Sequence, residues 1–173
     1  MEFSVQTTNP AKAETACLVL PVYKGSDLLP SVAKLDDASE RLIGQLLERG
    51  DFDAALGNTQ LVPFAPGLGA DRILLVGLGE RAKCQEAAFI KALDAAMVAL
   101  TKLPIDEANA TFTDVPLEGR DAVWKARKTL EAAERAIYRF DQFKSSPAKA
   151  PSLAKLTLIV SDANDAPLAM QGA

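Results

Sequence analysis

Ile73, Leu74, Leu75 and Val76 form an unbroken apolar run between Arg72 and the triplet Gly77-Leu78-Gly79. A short apolar run between turn signals suits a strand buried on both faces of a sheet, and such a strand needs helices above and below it. The stretch from Arg72 to Glu80 is therefore predicted to be a strand that enters a Gly-x-Gly turn. Thr15 to Val22 has a similar buried-strand character, while Glu2 to Thr7 alternates Phe3 and Val5 with polar neighbours as a half-exposed strand does. Asn9-Pro10 supplies the turn between them. Thr59 to Phe64, Ala110 to Val115, and Lys155 to Val160 complete the predicted strands.

Three stretches repeat instead at helical spacing. Val32, Leu35, Ser39, Leu42 and Leu46 predict one amphipathic helix from about Pro30 to Arg49, with Gly50 suited to its C-terminal end. Phe89, Leu93, Met97 and Leu100 mark a second, from about Gln85 to Lys102, whose alanines permit close packing on a sheet. Val123, Ala126, Leu130, Ala133, Ile137 and Phe140 mark the longest helix, opening after Leu117. Strands alternating with long helices predict an α/β fold, a mostly parallel or mixed sheet sandwiched between helices. Residues 1–144 form the expected domain core, 145–152 a Ser/Pro/Ala linker, and 153–162 the final strand of the same domain. Residues 163–173 begin a connection, which predicts that the chain is a piece of a longer protein.

Composition narrows the function. The chain has 173 residues, 49% hydrophobic and 24% charged, and a net charge of −4. Its pI of about 4.9 gives no global attraction to nucleic acid or anionic membrane. No apolar run approaches the roughly 20 residues that span a bilayer, and the start Met-Glu-Phe-Ser-Val is acidic, so a cytoplasmic location is expected. Cys17 and Cys84 lack metal or disulfide spacing and are expected to be small buried hydrophobes. Histidine is absent, which removes Ser-His-Asp and Cys-His nucleophile systems and histidine-based zinc sites.

Three groups of residues remain as candidate chemistry. Gly77-Leu-Gly79-Glu-Arg-Ala82 satisfies the permissive dinucleotide pattern, yet Glu80 places a negative charge where phosphates would lie, and no ribose-binding acid follows about 20 residues later. Either a nucleotide cradle or a tight structural turn fits. The longest helix carries seven bases against five acids, and Arg127, Lys128, Arg135 and Arg139 are its candidate DNA contacts, although a solvated face with pairs such as Glu131 with Arg135 has the same sequence appearance. Asp36-Asp37, Asp51 with Asp53, and Asp162 with Asp165 lack any binding-loop spacing and are expected to act in capping and solubility. Neither a cofactor nor a metal is expected in this chain.

Met1-Glu-Phe-Ser-Val5, Arg72-Ile-Leu-Leu-Val-Gly-Leu-Gly-Glu80 and Ala136-Ile-Tyr-Arg-Phe-Asp-Gln-Phe-Lys144, taken in order, resemble the N-terminal domain of bacterial leucyl aminopeptidases, peptidase family M17. The resemblance implies a macro-domain-like α/β fold. It further implies a parent enzyme that removes N-terminal residues, leucine preferentially, with two divalent metals (zinc, manganese or magnesium) in a separate C-terminal domain. Implied partners are that catalytic domain, peptide substrates, the other subunits of a homo-hexamer and, in some relatives, DNA; ADP-ribose binding also stays open by likeness to macro domains. The family's signature Asn-Thr-Asp-Ala-Glu-Gly-Arg does not occur: Glu118-Gly119-Arg120 shares three letters but follows Val115-Pro116-Leu117. No catalytic or metal residue is therefore assigned to this chain, whose expected role is assembly, access or regulation.

Overall fold

A computed structural model describes residues 1–25, 27–142 and 151–172, with only the backbone described for 139–142, 168 and 172. Six strands, β1 (Glu2–Gln6), β2 (Leu18–Tyr23), β3 (Thr59–Val62), β4 (Ile73–Gly79), β5 (Glu107–Ala110) and β6 (Lys155–Ile159), form one sheet. Their order is β1-β6-β5-β2-β4-β3. All neighbours are parallel except β3, which pairs antiparallel with β4 at one edge. Among the described residues five helices accompany them: α1 (Pro30–Ala38), α2 (Leu42–Glu48), α3 (Glu86–Thr101), α4 (Ala122–Gln142) and α5 (Asp165–Gly172).

The layers follow from connection handedness. The path from β2 through α1 and α2 to β4 runs one way along the sheet, and the paths through α3 and α4 to β5 and β6 run the other. Right-handed crossovers then place α1 and α2 on one face and α3 and α4 on the opposite face. Contacts agree: α4 lies between α3 and α5, and α1 packs on α2 and β2. Every residue of β2 is buried, as are Ile73 to Leu78 of β4, so both faces are covered. The expected mixed α/β sandwich is present.

The predicted elements differ from the observed ones in three places. The single helix expected over Pro30 to Arg49 is two, because Glu40 and Arg41 take left-handed conformations at φ 57° and 61°. Asp36 supports the break: its buried Oδ1 accepts the amide protons of Ile43 (2.8 Å) and Gly44 (3.0 Å), satisfying donors at the start of α2. Ser39 Oγ donates to the Leu35 and Asp36 carbonyls and closes α1. The strand expected at Ala110 to Val115 lies earlier, at Glu107–Ala110, and Phe112–Asp114 is a 3₁₀ turn. The Gly-x-Gly turn is not a turn, since Gly77, Leu78 and Gly79 belong to β4. Most of the linker expected at 145–152 lies outside the described residues. The segment after β6 folds as α5, packed on α4 and β1.

Candidate functional site

In open parallel sheets ligands gather beyond the carboxyl ends of the strands where the winding direction reverses, which here is between β2 and β5. Side chains fill that crest. Tyr23, at the end of β2, and Phe112, just after β5, are fully buried. Phe112 meets Phe89 edge-on at 5.8 Å, and Phe89 lies 5.8 Å from Trp124. The Arg81 guanidinium sits 5.4 Å from the centre of the Tyr23 ring and donates to Asp27 Oδ2 at 2.5 Å. The loops after β2 and β4 are thus tied together over Tyr23. Burial, followed by the nearby Cys84 thiol, pushes the Tyr23 phenol up to about 12. Burial likewise raises the Cys84 thiol.

Gly77 and Gly79 serve a backbone crossing. Gly77 donates to the Asn58 carbonyl at 2.8 Å and accepts from the Gly57 amide at 3.0 Å. A Cβ on Gly77 would lie 2.1 Å from the Ala55 carbonyl oxygen. The space a phosphate would need over this glycine holds the Ala54–Ala55 backbone. Gly79 has φ 73° and donates to the Ala54 carbonyl. Beyond it come Glu80, ion-paired with Lys83 at 3.0 Å, and a 3₁₀ turn at Arg81–Lys83, so the helix begins only at Glu86.

The candidate DNA contacts divide between environments. Arg127 is exposed. Lys128 is bound to Glu131 at 2.7 Å and lies 5.9 Å from the Trp124 ring centre. Arg135 reaches Asp94 of α3 at 2.7 Å and Glu131 at 3.9 Å. The side chain of Arg139 lies outside the described residues. Two of the four are therefore paired with acids, Lys128 within α4 and Arg135 also across to α3.

The carboxylates act mainly on their own loops. Asp53 Oδ1 accepts from the Ala55 amide (3.0 Å) and Asn58 Nδ2 (3.1 Å), and Asp162 accepts from the Asn164 amide at 2.9 Å. Those bonds to Ala55 and Asn58, with Lys24 nearby, hold Asp53 below its ordinary carboxylate range. Among the described residues no three His, Cys, Asp or Glu side chains converge as metal ligands would. The Arg81–Asp27–Tyr23–Cys84 group and the buried Lys125, which donates to the Thr113 carbonyl at 3.0 Å, were not anticipated. Burial lowers the Lys125 pKa. Its sequence signal was a cation one position before the apolar-stripe residue Ala126.

Fold and crest define an α/β domain of macro-domain type with a side-chain-filled mouth. Residues 19–147 match the model of the cytosol aminopeptidase family, N-terminal domain, and the chain belongs to that family. It is 69% identical over all 173 residues to a probable cytosol aminopeptidase of Chromohalobacter salexigens, covering 34% of that protein. The chain thus spans about a third of the curated relatives it matches. A tomato leucine aminopeptidase mutant superposes over 94% of this chain and 33% of its own, at TM-score 0.72 and 18% identity. A Trypanosoma brucei macrodomain superposes over 98% of this chain and 66% of its own, at TM-score 0.72 and 10% identity. At those identities the structures establish the fold. Among the described residues no helix is long and apolar enough to cross a membrane.

Proposed function

We propose that this chain is the non-catalytic N-terminal domain of a metal-dependent leucyl aminopeptidase, serving assembly, active-site access or regulation of the parent enzyme. The observation that carries the reading is the 69% identity along the whole chain to a protein named as a cytosol aminopeptidase, of which it covers only 34%. The chemistry then belongs to the remaining two thirds, where two divalent ions would polarise the peptide carbonyl and activate a water. Two features of this chain support that division. The family signature is missing, and the crest of the sheet is occupied by Tyr23, Phe112 and the Arg81–Asp27 bridge.

Metal content tests the division of labour. After dialysis against manganese and desalting, the 173-residue chain is expected to retain no stoichiometric metal, whereas the whole parent retains two ions per subunit. Stoichiometric manganese on the chain alone would overturn the reading.

A further inference from the structure

Beside the β2–α1 turn, on the face of the sheet covered by α1 and α2, lies a cavity of about 440 Å³. Its lining includes none of the crest residues Tyr23, Asp27, Arg81 and Phe112. Leu28, Leu47 and Phe52 give it an apolar floor. Two of its lining residues are glycines, Gly25 and Gly50, where an added Cβ would meet nothing within 4 Å. Volumes of roughly 300–1,000 Å³ with apolar walls and a few placed polar groups are typical of small-molecule sites.

The charged groups around this floor fall into two sets. Arg41 and Glu48 already neutralise one another at 2.6 Å. Asp36 spends Oδ1 on the amides of α2. Lys24 and Asp53 are different. Asp53 is exposed and holds its loop by accepting from the Ala55 amide and Asn58 Nδ2. Lys24 lies near enough to help keep Asp53 ionised but forms no ion pair with it. One exposed cation and one exposed carboxylate, with no ion pair between them, therefore border an apolar surface.

We propose that this cavity binds a small zwitterion with an apolar side chain, a free amino acid such as leucine or phenylalanine. The side chain lies on Leu28, Leu47 and Phe52, the α-carboxylate meets the Lys24 ammonium, and the α-ammonium meets the exposed Asp53 carboxylate. Charge selects this class. Three carboxylates face two cations around the cavity, which disfavours a phosphate or other multiply charged anion. An uncharged apolar ligand would engage neither Lys24 nor Asp53. The assignment rests on the cavity and is independent of the aminopeptidase reading.

Amide chemical-shift titration of the 173-residue chain tests it, with L-leucine and L-phenylalanine as ligands and glycine and N-acetyl-L-leucinamide as controls. Saturable shifts are expected at Leu28, Leu47 and Phe52 with leucine, at least tenfold weaker binding for each control, and a comparable loss in Lys24→Glu. Lys24 is exposed, so that variant should keep the rest of its spectrum; Leu28→Asp provides a second variant that damages the floor instead. Absence of saturable shifts up to the solubility of leucine, shifts confined to other elements, or equal binding of leucine and N-acetyl-L-leucinamide would each overturn the proposal.

Discussion

Gly77 and Ala55 approach so closely that a single methyl group at Gly77 would stand 2.1 Å from the Ala55 carbonyl oxygen. This places the glycine-rich end of β4 under a crossing segment of backbone, with the ladder continued through Gly57 and Asn58. The chemistry suggested by Gly-x-Gly in the sequence thus yields to a packing reason.

Substitution separates the two kinds of glycine. Gly77→Ala must displace backbone, and overpacking of this severity is expected to cost at least about 3 kcal/mol. Gly119 also has positive φ, at 69°, but open space around its Cβ position, so Gly119→Ala should cost only about 1–2 kcal/mol of left-handed strain. Urea denaturation of both variants measures the difference. Equal costs would remove the crossing as the reason for Gly77.

The break between α1 and α2 should depend on Asp36. Asp36→Ala leaves the Ile43 and Gly44 amides without their acceptor, and loss of such a cap is expected to cost about 1–2 kcal/mol. Asp36→Asn keeps an oxygen in place and should lose less. Hydrogen exchange at Ile43 and Gly44 should quicken in the alanine variant before the rest of the core changes; unchanged exchange there would contradict the capping role.

Alkali should destabilise the fold through two buried acids. Burial pushes the Cys17 thiol from 9.0 up to about 12, and the Tyr23 phenol from 10.0 up to about 12. The unfolded chain therefore loses these protons first, and the folded state holds more of them between about pH 9 and 12. Their contribution is fully present below pH 9 and is lost as pH rises toward 12. Urea midpoints should be flat from pH 7 to 8.5 and fall above it, with a shallower fall in Cys17→Ala and in Tyr23→Phe. A slope unchanged by either substitution would assign the alkaline loss elsewhere.

Regular patterns carried most of the architecture. The period of Phe89, Leu93, Met97 and Leu100 located α3 within a residue or two, and the apolar runs of β2 and β4 announced a sheet covered on both faces. Local preference failed where tertiary contacts outweighed it. Glu107–Ala110 is a poor strand by composition, yet it is held between β2 and β6; Thr111, Phe112 and Thr113 favour strands but turn away in a 3₁₀ bend. The helix over residues 30–49 read as continuous because its breaking contact joins Asp36 to amides seven and eight positions later. The cavity floor was illegible for the same reason, since Leu28, Leu47 and Phe52 meet only after that break. The Arg81–Asp27 bridge, 54 residues apart, left no local pattern either.

We propose that catalysis lies outside this chain. The most direct test is hydrolysis of leucyl-p-nitroanilide by the purified 173-residue chain with added manganese, beside the whole parent enzyme under the same conditions. Turnover by the parent and only the uncatalysed background for the chain are expected. Chelator-sensitive hydrolysis that co-purifies with the chain alone would contradict it.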